Sequence, residues 1–268
     1  MLVECWGLTP YYFQGLKSVA LTTTYKTITS PSDIHCCRTC ARDTFCASVI
    51  YRRSSRECQL SYVPLAAASA YKTPDATSIA YFLKDWTLVF RATPGIGIDV
   101  KDAWTTGNDV TSDDVTCTEL ATSSCSKHYR HPLVFNWKNM DINEVKVAFY
   151  KGDTEKYIVF DGKGSNITSW FQKEKILASS WSTITTKTYQ YFSVEGEDQR
   201  QFFIINSYNG CVNDRIFMVV VAGQGRHFCT YDSHTTYPQF LFSTGDDYGA
   251  PQTMAGISKA DVFAIFIK

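Results

Sequence analysis

Cys36-Cys37-Arg38-Thr39-Cys40-Ala41-Arg42-Asp43-Thr44-Phe45-Cys46, followed by Cys58, is the stretch on which the reading of the fold turns. Ser32 and Asp33 ahead of it are residue types that cap helices, so the spacing predicts a short helix over Ile34–Arg42. Cys36 and Cys40 then lie at i and i+4, on one helical face. Ala47–Tyr51 and Glu57–Tyr62 read as two strands joined by a polar turn over Arg52–Arg56. A short helix tied by sulfur to a hairpin is a unit that cystines can hold together.

These residues resemble the PAN/apple module. The likeness is carried by Cys36, Cys40, Cys46, Tyr51, Cys58 and Leu60, with Cys5, Phe13-Gln14-Gly15 and the strand Ile79–Leu83 at the flanks. It covers about the first third of the chain, and it implies pairing of Cys36 with Cys58 and of Cys40 with Cys46. Cys37 departs from the pattern. It points off another side of the helix, and we pair it with Cys5, although six cysteines allow fifteen connectivities. Cys37, Cys40, Cys46 and Cys58 could instead bind one zinc ion, but the total cysteine usage favours oxidation and no metal site is expected.

The totals bound the rest. A chain of 268 residues suggests two domains, and 44% hydrophobic residues suffice for real cores. Lys+Arg and Asp+Glu both number 26, so no basic surplus exists to displace counterions, and nucleic acid is not an expected partner. Six of the ten cysteines precede residue 60 and four follow residue 116, so each group can pair within itself. That usage, with the glycosylation sequon at Asn166, places the chain outside the cell. Met1–Cys5 shows no secretory leader, and no apolar run reaches the roughly 18 residues of a membrane span.

The first module is expected over 1–84, with Pro64–Pro74 as an internal connection, and the second domain over 85–268, with the junction at Lys84-Asp85. Trp86–Ala92 reads as a strand, Val100–Thr105 as a short helix and 107–131 as a long loop closed by Cys117–Cys125. Val145–Tyr150 and Lys156–Phe160 form a hairpin with Val145, Val147 and Phe149 on one face. Ser169–Leu177 reads as one or two helical turns. Strands follow at Tyr189–Val194, Gln201–Asn206, Ile216–Val221, Gln239–Phe242 and Val262–Ile267. Cys211 and Cys229 can meet across a hairpin, and the first and last strands of the domain can lie side by side. The expected fold is therefore an α+β PAN/apple-like module followed by an all-β, disulfide-braced sandwich of jelly-roll type. The second domain is similar to one found beside PAN modules in secreted invertebrate proteins, with no assigned activity; the likeness rests on Trp86–Arg91, Phe160–Gly162, Ser179–Trp181 and Ala260–Phe266. A weaker likeness links it to fibrinogen-like recognition domains, whose calcium loop is hinted at only by Gly245-Asp246-Asp247.

Signatures of catalysis are missing: no nucleophile elbow, no zinc-protease motif, no phosphate loop, no dinucleotide fingerprint, and hence no expected cofactor. His128 and His131 are read as surface residues. Glu144, Glu155, Glu174, Glu195 and Glu197 leave a glycosidase open without marking a pair. The candidate binding residues are aromatics near turns with polar neighbours: Trp104 with Asp99, Asp102 and Asn108, and Tyr11 with Tyr12. The expectation is a secreted, non-enzymatic recognition or adhesion protein for extracellular protein or glycan. The alternatives are a self-associating matrix, mucus or coat component, and a glycosidase-class enzyme.

Overall fold

Ser32 closes the first turn of α1 (Asp33–Ala41) by accepting a hydrogen bond from the His35 amide at 3.2 Å. This computed structural model describes residues 2–5, 11–43, 45–64, 71–83, 86–121, 125–226 and 229–268; of residues 2–5, 11–16, 82–83 and 115 it describes the backbone alone. The expected junction at Lys84-Asp85 lies outside the described residues. The chain divides into two units. One comprises Met1–Thr87, Phe135–Asn143 and Ile267–Lys268; the other comprises Leu88–Val134 and Glu144–Phe266.

In the first unit α1 lies beside one sheet of six strands: β1 (Leu2–Cys5), β2 (Tyr11–Leu21), β3 (Lys26–Thr29), β4 (Ser48–Arg52), β5 (Glu57–Ser61) and β6 (Lys72–Leu83), in the order β1-β2-β6-β4-β5-β3. The β4–β5 hairpin sets Tyr51 opposite Cys58. Cys36 is bonded to Cys58 and Cys40 to Cys46, so both sulfurs on the helical face are tied down. Around them Val49, Tyr51, Leu60 and Tyr81 are buried. The polar tips of the two tyrosines are satisfied: Tyr51 donates to the Ser30 carbonyl at 3.3 Å, and Tyr81 donates to Asp33 Oδ2 at 2.6 Å, anchoring the start of α1. Cys37 is buried in α1, and β1, which carries Cys5, packs beside that helix. The Cys5 side chain lies outside the described residues.

The second unit carries α2 (Val100–Thr105) and two sheets. One contains β7 (Thr87–Ala92), β8 (Val110–Thr111), β9 (His128–Arg130), β10 (Glu144–Lys151), β11 (Thr154–Asp161), β12 (Ile176–Ser179) and β18 (Val262–Ile267), in the order β12-β11-β10-β18-β7-β9-β8. The other contains β13 (Tyr191–Ser193), β14 (Arg200–Ser207), β15 (Arg215–Val221), β16 (Gln239–Ser243) and β17 (Ile257–Lys259), in chain order. The alternation in β10 buries Val145, Val147 and Phe149. Phe149 stacks on Phe242 of β16 at 5.7 Å, and Phe263 of β18 meets Phe202 of β14 at 4.8 Å and Phe240 of β16 at 5.9 Å, so rings of one sheet pack on rings of the other.

Two segments differ from expectation. Ser169–Leu177 holds a single 3-10 turn, Lys173–Lys175, that runs straight into β12, because Ile176 and its neighbours pair with β11. The loop over 107–131 contains β8, β9 and a 3-10 turn at Val115–Thr118, closed by the Cys117–Cys125 cystine.

The histidines require a correction: His128 and His131 are buried. His128 Nδ1 accepts from the Thr93 amide at 3.1 Å while Nε2 faces the Ile98 carbonyl at 3.1 Å, and His131 Nδ1 accepts from the Leu133 amide at 3.1 Å. Both rings thus use Nδ1 as an acceptor, which requires the neutral form. Burial lowers His128 to about 4, with the Ile98 carbonyl and Asp99 opposing and Arg91 assisting, and burial lowers His131 to about 4. Between those values and the ordinary 6.5 the unfolded chain binds more protons than the folded one. This stabilising contribution is therefore complete above the ordinary value and is lost as pH falls toward 4.

Denaturant titration should show stability dropping between pH 7 and pH 4.5, with each histidine responsible for about 2–3 kcal/mol. His131→Asn, which keeps an acceptor but cannot titrate, should remove its share of the slope; an unchanged slope would refute the assignment. Peptide mapping of the unreduced chain should join Cys5 to Cys37, and a free thiol at Cys37 would exclude that pairing.

Candidate functional site

Two residues of left-handed backbone open the site. Asp198 (φ 48°) and Gln199 (φ 67°) form a two-residue turn whose flanks exchange both hydrogen bonds, Glu197 amide to Arg200 carbonyl and the reverse, each at 3.0 Å. Gly196 must be glycine: its φ is +65°, and a Cβ would sit 1.6 Å from the Arg200 carbonyl oxygen. Asp198 also receives the Arg226 amide at 2.7 Å, which ties the turn to the loop after β15. The turn delivers Arg200, the first residue of β14, into the interior.

Arg200 and Asp232 are 0% and 1% exposed. Arg200 Nε donates to Asp232 Oδ1 at 3.1 Å and Nη2 to Oδ2 at 2.5 Å, a two-pronged pair. Nη1 donates to the Tyr208 hydroxyl, and the guanidinium lies 5.0 Å from the Tyr208 ring centre and 5.1 Å from that of Tyr231. Burial alone would lower the guanidinium pKa, but the hydrogen bond to Asp232 and the field of that carboxylate reverse the sign, so Arg200 stays charged. Tyr231 is driven above its ordinary value by burial, with Arg200 opposing and Asp214 assisting; it keeps its proton and donates to Asp214 Oδ2 at 2.5 Å. The Cys211–Cys229 cystine joins the two loops that hold these groups. Above the cluster, Tyr208, Asn209, Gly210, Cys211, Asp214 and Cys229 line a cleft of about 350 Å³.

The residues singled out in the sequence lie elsewhere. Trp104 is 0% exposed, so the expected aromatic binding surface around it does not exist. Its ring packs edge-on to Phe90 at 5.5 Å and Trp170 at 6.3 Å, and its Nε1 donates to the Ile167 carbonyl at 3.0 Å: apolar area and polar edge are both used internally. Asp99 is the N-cap of α2, with Oδ1 accepting from the Asp102 amide at 2.7 Å and Oδ2 from Gln201 Nε2 at 2.6 Å. Asp102 Oδ2 accepts from Asn108 Nδ2 at 3.0 Å in an exposed polar cluster. The four residues therefore divide between core, cap and surface. The side chains of Tyr11 and Tyr12 lie outside the described residues.

Asn166 is exposed, with Oδ1 accepting from the Thr168 amide at 3.0 Å and the Ser169 amide at 2.9 Å. Asp247 pairs with Lys187 at 2.7 Å, which neutralises the carboxylate suspected of holding calcium. Among the described residues no three His, Cys, Asp or Glu side chains converge as a metal site requires.

The Arg200 cluster had no counterpart in the sequence reading. The one local hint is a charged residue two positions ahead of the apolar run Phe202–Ile205; its partner lies 32 residues on.

Residues 11–84 match the family described as PAN domain. A search of the curated proteins finds no match. The chain is thus a mostly β protein with several disulfides and a PAN domain in its first third, a combination that fits an extracellular protein. No described helix is long and apolar enough to cross a membrane.

Arg200→Met should destabilise the second unit by about 3–5 kcal/mol, because it leaves Asp232 charged and buried, and adding Asp232→Leu should recover most of that loss. Urea unfolding checks both. A single variant as stable as the parent would mean that the pair is not buried as described.

Proposed function

We propose that this chain is a secreted, non-enzymatic recognition protein that binds extracellular protein or glycan. The observation that carries the reading is the PAN match over 11–84, on a helix and hairpin braced by two buried cystines. PAN domains commonly mediate protein or carbohydrate binding. A scaffold fixed by covalent crosslinks presents its loops without paying to order them at each encounter. We read the second unit, with its two ring-packed sheets, as a sandwich domain of the type found beside PAN modules in secreted invertebrate proteins, starting near residue 85. An exposed Asn166 suits a glycosylated surface. Partners other than nucleic acid fit the balanced charge of 26 basic and 26 acidic residues.

A glycan array probed with the full chain, alongside light scattering, tests this reading. The expected result is saturable binding to a defined subset of glycans by a species of one chain's mass. An empty array together with assemblies that grow with concentration would replace it with the matrix reading. Release of reducing sugar from a bound glycan would replace it with an enzyme.

A further inference from the structure

Between β14 and β15 the chain runs Tyr208-Asn209-Gly210-Cys211, and Asn209 is the only asparagine of the sequence that precedes a glycine. Both residues are exposed, in a bend outside any strand. Their two carbonyls are occupied: Asn213 Nδ2 donates to the Asn209 carbonyl at 3.1 Å, and the Asn213 amide donates to the Gly210 carbonyl at 2.8 Å. The other polar groups of the pair are not. Among the described residues nothing accepts the Gly210 N–H, and nothing engages the Asn209 side-chain amide. Gly210 has φ +81°, and a Cβ placed on it would meet no atom within 4 Å. With no side chain on its own residue, the Gly210 nitrogen is uncrowded.

We infer that Asn209-Gly210 is a modification site, at which the folded chain deamidates itself with water as its one co-reactant. The Gly210 amide nitrogen, having given its proton to solvent, bonds to Asn209 Cγ and closes a succinimide ring. The Cγ–Nδ2 bond breaks, and ammonia leaves with a proton taken from solvent. Water then opens the ring at either carbonyl. Opening at Cγ leaves aspartate at 209; opening at the main-chain carbonyl leaves isoaspartate. Nothing is oxidised or reduced. Nucleophile and electrophile belong to adjacent residues, so ring closure loses little entropy. The Asn213 donor on the Asn209 carbonyl draws electrons from the peptide that contains the Gly210 nitrogen and eases loss of its proton. Other asparagines lack these conditions. Asn166 precedes the β-branched Ile167 and its Oδ1 is held by two amides, and Asn108 Nδ2 is held by Asp102.

The change falls on the cleft of about 350 Å³, which Asn209 and Gly210 line together with Asp214. Either product is a carboxylate with an ordinary pKa of about 4, ionised at neutral pH, so a neutral stretch of wall gains a negative charge. Isoaspartate also routes the backbone through the side-chain carbon. The chain is then longer between Tyr208, whose hydroxyl accepts from Arg200, and Cys211, which the cystine anchors.

This inference goes beyond the recognition reading and does not depend on it. The test is incubation of the full, unreduced chain at neutral pH and physiological temperature over several weeks. Samples are taken for isoelectric focusing and for peptide mapping by a fragmentation that tells isoaspartate from aspartate. A more acidic species should accumulate, with the change at Asn209 at least about tenfold faster than at any other asparagine. Both isoaspartate and aspartate should form there. The rate should rise from mildly acidic to mildly alkaline buffer, because the attacking nitrogen must lose its proton. Asn209→Gln, a substitution at an exposed position, should abolish the acidic species over the same time, since the larger ring closes far more slowly. No change at Asn209, a rate equal to that of the other asparagines, aspartate without isoaspartate, or an acidic species that forms equally fast in the Asn209→Gln variant would each overturn the inference. A glycan array reads none of these outcomes, so the site and the recognition reading fail separately.

Discussion

The ring of Phe263 is the contact on which the second unit depends. From β18 it touches Phe90 at 6.5 Å, Phe149 at 5.3 Å, Phe202 at 4.8 Å and Phe240 at 5.9 Å, so one side chain joins three neighbouring strands of its own sheet to two of the other. Each such pair contributes about 0.5–1.5 kcal/mol beyond the area it buries. That is enough to hold an unfavourable backbone: Phe202 sits at φ 44°, and the β14–β15 register slips between Gln201 and Ile204. A non-glycine residue in that region costs about 1–3 kcal/mol. The bulge aims the Phe202 ring at Phe263, and the tight turn just before it sends Arg200 inward. The hydrophobic core and the buried charge are thus fixed by the same five residues of chain, Asp198–Phe202.

How far the sequence could be read follows from the distance over which each feature is decided. The helix at 33–41 and the hairpin after it are local: Ser32 caps its own first turn, the cysteines repeat at i and i+4, and the polar turn lies within the segment. The Val145, Val147 and Phe149 alternation is equally local, and its burial follows from the pleat. The burial of Trp104 is not legible, because a tryptophan near a turn looks the same whether its ring faces water or Trp170, which lies 66 residues along the chain. The burial of His128 and His131 is hidden for the same reason. What makes them tolerable in the interior is a set of backbone donors, the amides of Thr93 and Leu133, that only the folded chain brings to Nδ1.

The Arg200 cluster shows the limit most sharply. Arg200, Tyr208, Asp214, Tyr231 and Asp232 lie on one strand and two loops, and none of them stands in a motif. The cysteines that flank them were legible as a pair, but only as a crosslink. That they enclose a charge required knowing that β14 begins with an inward arginine.

The two kinds of cystine therefore act differently. Cys40–Cys46 closes a six-residue separation inside a unit whose helix and hairpin are already neighbours in sequence, so it mainly stiffens what local structure provides. Cys211–Cys229 spans 18 residues, including all of β15, and restricts the unfolded chain by roughly 3 kcal/mol in the loop-entropy description. A buried ion pair gains little over the water it displaces unless both partners are held in register. Asp232 sits on a loop, three residues beyond Cys229, and Arg200 Nη2 lies 3.5 Å from the Cys229 sulfur. The crosslink thus supplies the ordering that the charge pair could not provide for itself. In return the pair and its tyrosines give the cystine a polar, preformed surface on one side. The cystine that closes this loop is then also a wall of the cleft, and it holds Tyr208, Asp214 and Asp232 in one arrangement around it.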